Sequence, residues 1–372
     1  MNAYAIAYWA FILFLLLIDA ALVLLAFGAA SGSGKTDKRT TVKDTGPAVL
    51  VMIPCRGADI GLKENIISAL HQSYRNYEAV AIVDSLEDGS VGVLKRTGIR
   101  IVRSSSKSKG RSGKVRAIYT ALSSEKGYDV YVILDSDVRV GRKWLSELVA
   151  PLADKRIGIS TTFPYFKPLR GFWSRMKMVW GFVGQGLMES NLTRFGWGGS
   201  LAFRKGLVSG KKELEYFGSM VSDDIAITRM SKAKGLGIAY CEGADATVYC
   251  RESFSSLWEW SSRQTALSIA GDRKVLYYGL AFYGANILLF LSGIVLSVLS
   301  SPLFLVLLLP FAAEAVKTYQ RARDRSAGTI AAFALSQFMY MANLLKASKM
   351  RSITWRGRTY DISGEARRDF PG

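Results

Sequence analysis

The sequence predicts an α/β fold, a mainly parallel sheet flanked by helices, with transmembrane helices at both ends of the chain. Three observations predict it. Short β-branched runs alternate with segments of helical spacing through the first half of the chain, the pattern of a parallel sheet with crossover helices. The run Tyr131 to Leu134 stops on the acidic triplet Asp135-Ser136-Asp137. Apolar residues, 49% of the 372, gather in long blocks near the two termini.

In chain order, Ala3 to Ala30 is apolar except for Asp19, long enough to cross a hydrocarbon core of ~30 Å. A secretory signal carries basic residues ahead of a shorter apolar stretch, whereas the first basic residue here is Lys35, so residues 1–30 are expected to form an uncleaved membrane helix. Asp19 is costly in a bilayer and is expected to face protein or water, or to shift toward the interface. Residues 31–46 are a Ser/Gly/Lys/Thr-rich linker. Its Ser31 to Thr36 stretch lacks both the spacing of a phosphate loop and a strand before it.

Ala48 to Ile53 is a first buried strand, turned outward by Pro54-Cys55-Arg56-Gly57. Leu62 to Ser73 has helical spacing in Ile66, Ile67, Ala69 and Leu70, and contains His71, the only histidine. Tyr77 to Val83 is a second strand, ending on Asp84 and an acidic loop with Glu87 and Asp88. Ile99 to Val102 is a strand, Lys107 to Lys114 a Ser/Gly/basic loop and Val115 to Ser123 a helix. The strand ending on Asp135 comes next.

Right-handed crossovers bring the exits of these strands to one edge, where ligands of open α/β sheets bind. Two carboxylates one residue apart, Asp135 and Asp137, offer hard oxygen ligands for Mg²⁺ or Mn²⁺, which would bridge them to a diphosphate. Lys114 is able to approach a phosphate there. Each piece taken singly fits a solvated loop; their convergence is the signal.

The formal charge of +19 suits nucleic acid as a partner, but the basic residues cluster beside the apolar blocks. Lys35, Lys38, Arg39 and Lys43 follow the first; Arg321, Arg323 and Arg325, then Lys346, Lys349, Arg351, Arg356 and Arg358, accompany the later ones. Such clusters anchor to anionic headgroups on the cytoplasmic side, which predicts an integral membrane protein with a cytoplasmic middle region and no nucleic-acid partner. Residues 276–346 are expected to form a C-terminal transmembrane region. Tyr277 to Val316 splits at Ser300-Ser301-Pro302, since proline opens a helix but does not continue one, and Ala327 to Leu345 follows. Residues 347–372 read as a basic cytoplasmic tail; three full crossings would instead leave it outside, so either the Ala327 to Leu345 segment lies in the interface or re-enters, or the charge rule fails here. Cys55, Cys241 and Cys250 lack metal-type spacing and are expected to pack as reduced thiols.

The stretch Ile53-Pro-Cys-Arg-Gly-Ala-Asp59, with Leu62, Asn65, Ser68, Gln72, Tyr74, Tyr77 and Glu78, resembles the opening of ceramide glucosyltransferase-like enzymes. These are membrane-bound inverting glycosyltransferases of the glycosyltransferase-A fold. The resemblance spans roughly Val49 to Gln264, with a further match in Trp355-Arg356-Gly357-Arg358-Thr359-Tyr360. It implies a nucleotide-sugar donor whose diphosphate is held by a metal on Asp135-Ser136-Asp137. It also implies a nucleoside-contacting aspartate at Asp88, with Asp84 as the rival, and donor contacts from Pro54, Arg56, Gly57, Lys114 and the Gly199 strand.

The resemblance further assigns a general base to Val221-Ser222-Asp223-Asp224. Asp224 would take the acceptor's proton, and Asp223 would raise its pKa or bind the acceptor or a basic residue. Two acids ahead of an apolar helix also fit an N-terminal pair stabilised by the helix dipole. In Trp258-Glu-Trp260-Ser-Ser-Arg263-Gln264, Arg263 survives from the family's Arg-Trp motif as a clamp for the leaving diphosphate. Gln264 replaces the tryptophan. Trp197, Trp260 and Gln264 are the candidate acceptor contacts, and helices near 169–197 and 253–270 are expected to lie at the membrane interface. Together residues 47–265 would form the catalytic domain.

The implied function is metal-dependent transfer of a single sugar, from UDP-glucose by preference, to the hydroxyl headgroup of a membrane lipid. Alternatives are a polyprenyl-phosphate acceptor, processive polysaccharide synthesis, and a non-enzymatic membrane-anchored nucleotide-sugar binding protein.

Overall fold

Buried β-branched runs build the sheet. In the computed structural model, which describes residues 3–31, 46–105, 111–191, 193–365 and 368–370, the strands are β1 (Val49–Cys55), β2 (Tyr77–Val83), β3 (Arg100–Arg103), β4 (Val130–Leu134), β5 (Val138–Val140), β6 (Ile157–Thr161), β7 (Tyr165–Pro168), β8 (Ser200–Arg204), β9 (Gly237–Tyr240), β10 (Ala246–Cys250), β11 (Ser352–Trp355) and β12 (Arg358–Asp361). The basic residues Lys35, Lys38, Arg39 and Lys43, most of the 31–46 linker, and Lys107 with its neighbours through Gly110 lie outside the described residues.

Two compact units result: one of Met1–Ser33, Arg170–Phe182 and Glu252–Met350, the other of Gly34–Leu169, Val183–Arg251 and Arg351–Gly372. In the second, seven strands pair in the order β3-β2-β1-β4-β8-β6-β9. β1 runs parallel to β2 and β4, and β8 runs antiparallel to β4 and β6. All of β4, and all of β1 except Pro54, is buried. Strands covered on both faces carry continuous apolar runs, which is why these two read so clearly in the sequence.

One core cluster joins Leu50, Met52, Val80, Ile82 and Ile133 of the sheet to Val115, Ile118 and Ala121 of the helix Gly113–Ser124, and to Phe217 and Ile227 of the helices Lys211–Ser219 and Asp223–Ala233. Phe203 of β8 is fully buried there and stacks on Tyr131, with ring centroids 5.9 Å apart. Burying such a ring contributes about 1.5–3 kcal/mol.

Several local expectations shift. β1 continues through Pro54 and Cys55, and the outward turn comes at Arg56-Gly57, with Gly57 at φ 71°. β4 accompanies β1 only as far as Met52, so Pro54 sits where that side is an edge, the place a proline tolerates in a sheet. The helix from Leu62 ends at Leu70, and His71 caps it with its backbone N–H on the Ile67 carbonyl. Lys114 is not in a loop: Ser112 Oγ accepts from Val115 N at 3.2 Å and starts the helix at Gly113.

The basic stretch from Arg351 is no loose tail, since it belongs to the sheet-containing unit and folds into the β11–β12 hairpin. Within it the guanidiniums of Arg356 and Arg358, expected as headgroup anchors, are paired with acidic groups of that unit.

Among the described residues the other unit holds four helices long and apolar enough to cross a membrane, Tyr4–Leu25, Lys274–Leu299, Pro302–Arg321 and Ala327–Ala347. The break at Ser300-Ser301-Pro302 is present, with Ser301 Oγ accepting from Leu303 N at 3.3 Å and Pro302 opening the next turn. Asp19 is buried within its unit, as its cost in hydrocarbon requires. All three cysteines are buried and free.

Candidate active site

The C-terminal ends of β1, β2 and β4 and the start of β8 meet at one edge of the sheet. Register explains the meeting: Leu134, the last residue of β4, pairs with Ser200, the first of β8. Asp135 therefore lies beside the Gly198-Gly199 turn, and its N–H donates to the Gly199 carbonyl at 3.1 Å.

Lys114 joins the parts. Near the start of its helix its side chain is only 9% exposed, and its ammonium lies 2.7 Å from Asp135 Oδ1 and 3.1 Å from Asp223 Oδ2, while donating to the Gly198 carbonyl at 3.1 Å. Burial alone would push its pKa down. The carboxylates of Asp135, Asp223 and Asp224 outweigh that and hold it well above the usual lysine range. Asp223 is buried more deeply still, and burial pushes its carboxyl up to about 7, against the pull of Lys114 and with the push of Asp224 and Asp135.

Asp224 differs from its neighbour. It is half-buried, and its Oδ1 accepts from Ile225 N at 2.8 Å and from the Ser222 hydroxyl. Oδ2 accepts from Gly198 N at 3.3 Å. Both acids do lie in the first turn of the helix Asp223–Ala233. Of the roles foreseen for Asp223, binding a basic residue is the one it adopts.

Two glycines make the close approach possible. A Cβ on Gly198 would lie 2.7 Å from Asp223 Oδ2 and 3.0 Å from Lys114 Nζ, and one on Gly199 would fall 2.1 Å from the Trp197 ring. Trp197 is held over that turn by a backbone bond to Thr161 Oγ1 at 3.0 Å and by Phe163, 5.6 Å away between centroids.

On the β2 side, Asp84 lines a cavity of about 410 Å³ with Arg103, Ser104, Ser105 and Arg116. Arg116 and Arg358 hold its two oxygens at 3.1 and 2.7 Å. Asp88 instead turns inward: its Oδ1 accepts from Gly57 N, Ser90 N and the Ser90 hydroxyl at 2.8, 2.8 and 2.6 Å. Burial raises its pKa, but these hydrogen bonds and Arg56 prevail and hold it low. Ser136 donates to Asp59 Oδ2 at 2.6 Å, and Asn65 Nδ2 donates to the Ser136 carbonyl at 3.1 Å.

Asp137, half-buried, follows Ser136 at the mouth of the edge. Among the described residues no cluster of three or more His, Cys, Asp or Glu could close a metal site. The Asp135 and Asp137 pair still fits a hard divalent ion of the Mg²⁺ type, which retains several waters and takes its remaining ligands from a substrate phosphate.

Arg263, Trp260 and Gln264 lie on the helix Phe254–Gly271, which belongs to the other unit. There Trp260 meets Trp180 edge-on at 4.9 Å, beneath the Lys177 ammonium at 4.4 Å from its ring. Lys177 is itself paired with Glu252 at 2.7 Å.

Reading the sequence missed Asp59, Arg103, Arg116, Arg356 and Arg358. Asp59 closes the opening motif and the last two sit in the Trp355 to Tyr360 match, so a signal existed for three of them. Arg103 and Arg116 carried none.

Glycosyl transferase family 21 matches this chain over residues 11–367. Among solved structures, the chain resembles the mannosyltransferase PcManGT from Pyrobaculum calidifontis in complex with GDP-Man and Mn²⁺, with a TM-score of 0.53 at 18% identity over 90% of this chain and 97% of that one. It also matches glucosyl-3-phosphoglycerate synthase from Mycobacterium tuberculosis in complex with Mn²⁺, UDP and phosphoglyceric acid, with a TM-score of 0.43 at 16% identity over 61% of this chain and 79% of that one.

Proposed function

The chain belongs to glycosyl transferase family 21, and from that premise we propose that this glycosyltransferase moves a single hexose from a nucleotide sugar to the hydroxyl headgroup of a membrane lipid. UDP-glucose is the favoured donor. The observation that carries the proposal is the gathering of Asp135 and Asp223 on Lys114, with Asp224 hydrogen-bonded to the same glycine turn.

Each group then has a task set by its surroundings. Asp135 and Asp137 would hold Mg²⁺ or Mn²⁺, which supplies charge neutralisation for the diphosphate. Asp84, facing the cavity with Arg103 and Arg116, would contact the nucleoside, while Asp88 fixes the Gly57 turn. Asp223 is occupied by Lys114. Asp224, half-buried beside the Gly198 turn, is the base: it takes the acceptor O–H proton as the acceptor oxygen bonds to the anomeric carbon and the bond to the diphosphate breaks. A single displacement from the face opposite the leaving group inverts that carbon. The four apolar helices support a lipid acceptor, because they would keep the enzyme where its acceptor resides.

The test is sugar transfer to lipid extracts from a panel of nucleotide sugars, with and without EDTA, by the wild type and by Asp224→Asn. EDTA should abolish transfer. The variant should lose at least 100-fold in turnover, as removal of a general base does, while retaining Mn²⁺-dependent donor binding. A near-normal rate would mean that the acceptor is already ionised, as a polyprenyl phosphate is, and would overturn the assignment of Asp224.

A further inference from the structure

The β11–β12 hairpin turns through Arg356 and Gly357, which both have positive φ, 48° and 73°. Such a turn favours Asn-Gly or Gly-Gly. A side chain in the left-handed region is strained, and Arg356 is the one non-glycine residue with positive φ among the described residues. Strain of that kind persists where the surroundings hold it, and it directs attention to what the side chain does.

What it does is reach the acidic edge from nearly 300 positions away. The Arg356 guanidinium donates to the Arg56 carbonyl and, at 2.6 Å, to Asp59 Oδ1. Asp59 passes the contact on through its other oxygen to Ser136, in the middle of Asp135-Ser136-Asp137. Burial would lower the pKa of Arg356, but Asp59, Asp137 and Asp135 hold it raised, which places the cation within the electrostatic reach of both candidate metal ligands.

Arg358, two residues on, grips Asp84 at 2.7 Å, and its Nη1 lies 3.1 Å from where a Cβ on Gly113 would sit. The Tyr360 hydroxyl accepts from Gly113 N at 3.3 Å. The hairpin thus lies along the line from the nucleoside-side carboxylate, past the helix start that carries Lys114, to the Asp-x-Asp end.

We propose that this hairpin completes the donor site: Arg356 binds the donor diphosphate with its guanidinium fork, and Arg358 is a positioning residue that orients Asp84 toward the nucleoside. The inference rests on the nucleotide-sugar reading above. Planar guanidinium suits paired phosphate oxygens better than an ammonium does.

The experiment is calorimetric titration of the full chain in detergent with UDP and GDP in the presence of Mn²⁺, and with uridine and guanosine, for the wild type, Arg356→Ala, Arg356→Lys and Arg358→Ala. Thermal unfolding of each confirms folding. For whichever diphosphate the wild type binds, Arg356→Ala should weaken binding at least 10-fold and change nucleoside binding less than 3-fold, with Arg356→Lys in between. Arg358→Ala should weaken nucleoside and diphosphate alike.

Unchanged diphosphate binding by folded Arg356→Ala overturns the proposal and leaves the hairpin a structural strap. Tighter binding of Mn²⁺ alone by that variant also overturns it, since Arg356 would then be occupying the metal's place. If the wild type binds neither diphosphate, the nucleotide-sugar reading itself fails.

Discussion

Replacing Lys114 by methionine keeps most of the side-chain length and removes the charge that three carboxylates share. With oxygens at 2.7 and 3.1 Å, an effective dielectric of ~20 gives each contact a gross attraction of about 5–6 kcal/mol. Desolvation offsets much of this while the pair is intact, but removing one partner leaves the other charge buried and unpaired, a loss of about 3–5 kcal/mol. Lys114→Met should therefore lose about that much stability at pH 8, measured by denaturant unfolding of the full chain in detergent.

The loss has a pH signature. Without the ammonium, the Asp223 carboxyl loses its main stabilising charge and moves above the value of about 7 it has in the intact site. At pH 5 it is neutral, so the destabilisation should shrink there. Adding Asp223→Asn to Lys114→Met should recover part of the loss at pH 8, a coupling that a double-mutant cycle reads directly. A cost below about 1 kcal/mol that is the same at both pH values, or strict additivity with Asp223→Asn, would refute the reasoning that one buried cation holds the site together.

Two further predictions follow from the same geometry. A carboxyl raised from its unfolded value of about 3.9 to about 7 makes the native state the stronger proton binder between those values. Its stabilising contribution is complete below pH ~4 and lost as pH rises through about 7, at no more than ~1.4 kcal/mol per pH unit; Asp223→Asn should remove that slope in urea titrations between pH 4 and 7, and an unchanged slope would show that Asp223 is ionised throughout. Gly198→Ala puts a methyl 2.7 Å from Asp223 Oδ2 and should cost about 1–3 kcal/mol by overpacking, visible as a lower melting temperature; wild-type stability would mean that the turn is looser than it is here.

Much of the architecture was legible because it depends on local pattern. The second strand is found at Tyr77–Val83 as expected, and the strand holding the Tyr131 to Leu134 run stops before Asp135 as expected, since buried parallel strands have no polar face to blur the signal. The chain break at Ser300-Ser301-Pro302 was likewise written in proline chemistry. Other features were hidden. Lys114 read as a loop residue because the serine cap that starts its helix carries no long-range signature. Of the two acids in one loop, the sequence favoured Asp88 as the nucleoside contact with Asp84 as its rival; only the fold turns Asp84 into a cavity with two arginines and Asp88 onto the Gly57 backbone.

The sequence by itself determined the alternation that makes the sheet, the acidic triplet at its edge, and the four apolar helices, because strand burial, turn chemistry and hydrocarbon thickness all act over a few residues. Tertiary structure alone decided that Asp223 pairs with Lys114 while Asp224 accepts from the Gly198 backbone, and that a basic tail becomes a hairpin against Asp59 and Asp84. Charge pairing acts through space, between groups up to 297 positions apart in the chain, and no local pattern encodes which partner a buried ion will meet.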